Sequence, residues 1–165
     1  MIGKTHLIIG TAVGLALVAN NHPPAPALVV TAAAIGALLP DLDSHGSLIA
    51  RKTGPFGWLY PYFVSHRGIT HSAIALIMVL AGVALLHRDY PGSEMAGFAL
   101  WCGYLSHLTA DMVTKAGIPL LWPSERKFRL LPRRLAIVTG GPVESLVSLV
   151  VLVLVFYLVY MYTVL

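Results

Sequence analysis

His6, Asp41, Asp43, His66, His71, His107 and Asp111 are the residues of this chain whose types suit a bound divalent cation. Imidazole and carboxylate together are ligands of zinc, and they also serve manganese and iron. His107 and Asp111 have the clearest spacing. At i and i+4 of a helix they share one face, about 6 Å apart, which fits two ligands of one ion or of neighbouring ions. A plainer reading pairs Asp111 with Lys115 at the next turn. Asp41 and Asp43, in LLPDLD, could likewise cap whatever follows Pro40. Beside histidines at the same depth they have a better use, because a divalent cation relieves the repulsion between close carboxylates. In HRGITH, Gly68 permits a turn between His66 in a loop and His71 in the first turn of a helix. Arg67 offers a planar, permanently charged fork for phosphate, with lipid-headgroup contact as its ordinary alternative. So many ligands exceed the needs of one zinc, and two or three ions are expected. Glu144 opens the last helix, either complementing the helix dipole or acting as a ligand or general base.

Those residues sit at the ends of apolar segments. The chain is 57% hydrophobic and 11% charged, with a mean hydropathy of +0.78, whereas soluble domains carry about a quarter charged residues. The composition predicts a membrane protein. Apolar stretches run over Leu7–Ala19, Ala25–Leu39, Ala73–Leu86, Met95–Ala110 and Val143–Leu165. Only the last easily meets the roughly 20 residues of a bilayer span. The expectation is an all-α polytopic protein, one membrane domain over 1–165 with about five transmembrane helices (5–19, 25–40, 69–87, 94–115, 143–164). Loops 41–68 and 116–142 would be interfacial. The first segment lacks a clear small-x-small cleavage site in LALVANNHPP and reads as retained. Cys102 is the single cysteine and forms no internal disulfide.

Sidedness follows from the basic residues. Lys4, Arg51, Lys52, Arg67, Lys115, Arg126, Lys127, Arg129, Arg133 and Arg134 fall on one side and Arg88 alone on the other. This bias puts the N-terminus in the cytoplasm and the C-terminus outside. His6, Asp41, Asp43, His66, His71, His107, Asp111 and Glu144 then share the cytoplasmic level, while His22 and His87 lie on the opposite side. His45, after DLDS, is left out of the site. Thr5–His6 and Thr70–His71 open the first and third helices alike, a faint echo between two hairpins. The stretch SERKFRLLPRR interleaves basic and apolar residues, as an element touching anionic lipid does. No fold motif supports base readout, so the basic pI near 9.4 implies lipid and no nucleic acid.

LLPDLD, HRGITHS, GYLSHLTADMVTKAGIPLLWP and RKFRL, in this order, resemble the YdjM-like family of bacterial inner-membrane proteins. The resemblance runs from about His6 to Leu131. The family is described, by inference, as metal-dependent hydrolases induced by the LexA damage response. The resemblance implies His66, His71, His107, Asp111, Asp41 and Asp43 as functional positions, with His6 matching the family's N-terminal histidine. A thinner likeness, through His107 and Asp111 alone, is to zinc-dependent phospholipase C enzymes. The resulting expectation is a hydrolase of a lipid or lipid-linked phosphoester, with an anionic or phosphate-bearing membrane lipid as partner. Metal ligands would be the seven residues named first, and Arg67 and Glu144 would act in catalysis. A divalent-metal transporter or sensor, or a non-catalytic adaptor with a structural metal site, are the alternatives. Transport should place ionisable groups through the bilayer midplane, and the mid-helix residues here are Val, Ala, Leu and Gly.

Overall fold

The structure is a computed structural model that describes residues 1–43, 68–90 and 92–164. His45, His66 and Arg67 lie outside the described residues. Within them the chain is all-helical. The α-helices are α1 (Gly3–Asn21), α2 (Pro26–Gly36), α3 (Ala73–Asp89), α4 (Glu94–Met112) and α5 (Pro142–Val164). Short 3-10 turns cover Leu39–Asp43 and Ile69–His71.

Local chemistry sets these boundaries. α1 ends where His22 takes a left-handed conformation (φ 43°) and its N–H reaches the Val18 carbonyl at 2.9 Å. Pro26 starts α2, where a missing N–H costs nothing. Ser72 caps α3, its hydroxyl accepting from the Ala75 N–H at 3.3 Å. That cap displaces His71 from the helix, where it was expected, into the 3-10 turn ahead of it. Asp41 and Asp43, expected to close the second helix, also stand on a 3-10 turn, because α2 stops at Gly36.

α1 packs on α2, α4 and α5, α2 packs on α4, and α3 lies against α4. Backbones touch at the centre. A side-chain carbon on Gly36 would strike the Leu100 carbonyl of α4, and one on Gly103 would strike the Ala33 carbonyl of α2. This reciprocal contact is possible because glycine leaves each backbone bare where the two helices cross. Val18, Val29, Ala32, Ala33 and Ala99 fill the remaining space. Residues 113–141, which take in most of the interfacial loop expected over 116–142, fold back over the ends of α3 and α4. Ile118 and Phe128 exchange backbone hydrogen bonds of 3.2 and 2.8 Å, and Ala73 N–H donates to Leu120 at 2.8 Å. The basic side chains of this segment stay exposed.

α5 is the one helix, among the described residues, long and apolar enough to cross a membrane. It rests on α1 by one face and exposes Val150, Val153, Phe156 and Tyr157 on the others. The expectation of five spans is therefore reduced to a single candidate by length and composition. α1 and α4 reach 19 residues each but carry polar ends, Thr5, His6, Asn20 and Asn21 in one and Glu94, His107 and Asp111 in the other. Glu144 fastens α5 in place. Its two carboxylate oxygens accept from the Ile2 and Gly140 N–H groups, each at 2.7 Å.

Two results should follow. Gly103→Ala should destabilise the folded protein by about 1–3 kcal/mol through overpacking, whereas Gly82→Ala, which meets open space in α3, should be neutral or stabilise by up to about 1 kcal/mol. Denaturation of the purified variants reads both, and equal effects would contradict the close α2–α4 contact. Glu144→Ala leaves two N–H groups without their charged acceptor and should cost about 2 kcal/mol in the same assay.

Candidate metal centre

Four helix ends meet at one point. His6 comes from the first turn of α1, Asp41 and Asp43 from the turn after α2, His71 from the turn before α3, and His107 with Asp111 from the last two turns of α4. His6, His71, His107, Asp43 and Asp111 are all buried to 1% exposure or less, and Asp41 lies nearest the surface. The i,i+4 spacing of His107 and Asp111 turns both inward. Asp111 faces His6, whose Nε2 lies 3.3 Å from its Oδ1, and His71, whose Nε2 lies 3.9 Å from its Oδ2. Lys115, its alternative partner, is exposed.

His107 is the hub. Its ring stacks on that of His6 with centroids 3.6 Å apart and planes 15° from parallel. Its Nδ1 lies 2.7 Å from the Ala37 carbonyl oxygen. A carbonyl can only accept, so Nδ1 carries the proton and Nε2 presents a lone pair. That Nε2 is 3.2 Å from His71 Nε2 and 3.9 Å from Asp41 Oδ1. His71 is oriented from behind in the same way: its Nδ1 lies 3.3 Å from Asp43 Oδ2 and 3.1 Å from the Thr70 hydroxyl, which itself donates to Asp43. The Tyr104 hydroxyl donates to the Thr70 carbonyl and holds this turn against α4. A carboxylate behind an imidazole is the usual support of a metal-ligating histidine.

Two triads result. His6, Asp41 and His107 form one, and His71, His107 and Asp111 the other, with the ligand atoms of each within 4.8 Å of one another. These buried groups could hold a metal ion. The donor chemistry fits: neutral imidazole nitrogens and carboxylates are the ligands of zinc and its neighbours. The ring nitrogens of His6 are buried: Nε2 faces the Asp111 carboxylate, and Nδ1 has no hydrogen-bond partner among the described residues, which suits a nitrogen that takes a cation. Burial pushes the Asp41 carboxyl above its ordinary range, with His6 and His71 pulling the other way. The Met1 ammonium lies against Asp111, so this pocket already accommodates positive charge.

Of the sequence-predicted residues, His6, Asp41, His71, His107 and Asp111 are brought together as possible ligands. Asp43 is placed behind His71, outside both triads. Glu144 is committed to two backbone N–H groups and belongs to neither triad. His66 and Arg67 fall in the segment that is not described. Sequence reasoning missed Thr70, Tyr104 and the Ala37 carbonyl. Tyr104 precedes His107 by three residues, on the same helix face, and could have been found by that spacing; a backbone carbonyl leaves no sequence signal.

The family described as "YdjM inner membrane protein" matches residues 1–164 of the chain. Inner membrane protein YdjM of Escherichia coli (strain K12) is 35% identical over 140 residues, covering 79% of this chain and 69% of that protein. The Shigella flexneri protein of the same name matches equally well. A Bacillus subtilis (strain 168) protein, "Uncharacterized protein YvsG", is 32% identical over 147 residues, covering 89% of this chain and 87% of its own. No solved structure matches the chain significantly. A match over essentially the whole length, together with relatives above 30% identity, places the chain in its family: it belongs to the YdjM inner membrane protein family.

Proposed function

We propose that this chain is a metal-dependent hydrolase of the inner membrane that cleaves a phosphoester of a lipid or lipid-linked substrate at the cytoplasmic face. The observation that carries the reading is the pair of buried His/Asp triads sharing His107. Two adjoining triads suit a centre of two ions. Zinc is the first candidate by ligand type, with manganese and iron next. When bound, the metal supplies Lewis acidity toward the phosphoryl oxygens and makes water a nucleophile near neutral pH.

The chain's own residues do the rest. Ala37 and Asp43 fix the rings of His107 and His71 so that their Nε2 atoms face each other and the carboxylates of Asp41 and Asp111. Asp41, nearest the surface, marks the side from which substrate arrives. Arg67, four residues before His71, supplies the fork that would bind non-bridging phosphoryl oxygens and offset the charge that builds in the transition state. Inner-membrane residence is supported by the family's description and by the bare apolar faces of α3 and α5. A multi-pass arrangement, as one membrane domain over 1–165, is the reading of the five apolar segments, and with that alternation the bias of basic residues would put the N-terminus in the cytoplasm. Anionic lipid would be met by the exposed Arg126, Lys127, Arg129, Arg133 and Arg134.

Elemental analysis of purified protein tests this reading. At least one divalent ion per chain is expected in the wild type, and His107→Ala, which removes the residue common to both triads, should lose most of it. Asp43→Asn should keep the ligands but loosen their support, lowering metal affinity about 10–100-fold. Both variants should lower phosphate release from a phosphatidate-containing vesicle in proportion to metal lost. Wild-type protein carrying less than one ion per chain would remove the basis of the proposal. Zinc uptake into proteoliposomes without lipid turnover would assign the same residues to transport.

A further inference from the structure

A groove of about 610 Å³ runs between α1, α4 and α5, a volume within the range of small-molecule sites. Ile9 and Val13 of α1, Cys102 and Leu105 of α4, and Val147 and Val151 of α5 line it. These pairs recur at three- or four-residue spacing, so each helix offers one continuous face. Along α4 the lining extends from Cys102 to Ala110, about 12 Å of helix. Ser106 and Thr109 also line it, yet their hydroxyls donate to the Gly103 and Leu105 carbonyls of their own helix at 2.7 and 2.8 Å. The wall is in effect hydrocarbon.

The two ends differ. Toward Val13, Cys102 and Val151 the lining is uncharged. At the other end Met1 and Ala110 line the groove, and these are the residues in contact with and next to Asp111 of the candidate metal centre. Val113 and Ile137 line this end too, and the exposed Lys115 is bonded through its N–H to the Ile137 carbonyl at 2.9 Å. Arg129 is exposed and held beside it, its Nε donating to the Lys115 carbonyl at 2.8 Å. A hydrocarbon slot therefore ends beside a buried His/Asp cluster, at Ile137, whose backbone is bonded to that of the exposed Lys115, which in turn holds the exposed Arg129.

We propose that this groove seats one acyl chain of a membrane amphiphile whose anionic head lies at the Lys115–Arg129 end, beside the His/Asp cluster. The inference rests on the phosphoester reading above and narrows its substrate to lipids with a long alkyl chain and a negative head. Charge complementarity decides for this occupant: an apolar helix or a second copy of the chain would leave the basic end unanswered. Acyl binding also places the head by a contact remote from the reacting bond, which is how binding energy of non-reacting parts serves catalysis.

Cys102, the single cysteine, reports occupancy. Its alkylation by N-ethylmaleimide is measured in phosphatidylcholine nanodiscs, with dodecylphosphonate as a probe whose carbon–phosphorus bond resists hydrolysis. At about four times its dissociation constant, dodecylphosphonate should slow alkylation about fivefold. Butylphosphonate and dodecyltrimethylammonium, which lack the tail or the negative head, should change it by less than about twofold. Val147→Trp or Val151→Phe, which fill the groove from α5, should slow alkylation unaided and abolish the phosphonate effect. Absence of protection in the wild type, or equal protection by the cationic amphiphile, overturns the proposal without any variant being needed. Protection without turnover of any phospholipid leaves the groove standing and removes the hydrolase reading. Turnover that Val147→Trp leaves unchanged, with no protection, removes the groove and spares the enzyme.

Discussion

Placing three carboxylates and three imidazoles in one buried cluster is costly, because each ionised group gives up hydration that a protein interior does not replace. Asp41, Asp43 and Asp111 surround His6, His71 and His107 at 3.3–3.9 Å, and a positive charge among them is what makes such burial favourable. The direction of the rings is consistent with that need. Ala37 holds the Nδ1 proton of His107 away from the cluster, so the lone pair on Nε2 points in. The His71 Nε2 lies 3.2 Å from it, close enough for both to serve one ion or two neighbours.

The helices exist, in functional terms, to bring these groups to one level. Among the described residues, no pair of candidate ligands other than His107 and Asp111 shares a helix, so the geometry is only as good as the packing between α1, α2 and α4. Gly36 and Gly103 allow the closest possible approach of α2 to α4, and the Tyr104–Thr70 bond sets the height of His71 against α4. Glu144 then holds Ile2, three residues before Thr5 and four before His6, against the start of α5. A loss of packing at a glycine is therefore expected to reach the cluster as a misplacement of ligands, and not only as a loss of stability.

Much of this was legible in the residues. The i,i+4 relation of His107 and Asp111 places both on one face whatever their neighbours do, and helix ends alternating along the chain put His6, Asp41 and His71 at the same level. The division of labour was not legible. Asp41 and Asp43 look alike in LLPDLD, and only the three-dimensional path of the 3-10 turn sends one toward His107 and the other behind His71. Ser72 outcompetes His71 for the helix start because its hydroxyl can cap an N–H, a local effect that a hydropathy pattern does not register. Glu144 had the right depth but bonds backbone N–H groups, which no spacing rule announces. Only α5 passes as a span by length and composition, for a related reason: polar ends that build the cluster also lower the apolarity of the helices that carry them.

The central claim is that imidazoles and carboxylates from four helix ends bind cations together. X-ray absorption at the zinc edge of zinc-loaded protein tests it most directly. The account predicts a nitrogen and oxygen shell at about 2.0–2.1 Å with outer scattering from two or more imidazoles. A sulfur shell at about 2.3 Å from Cys102, or a shell without imidazole scattering, would contradict it.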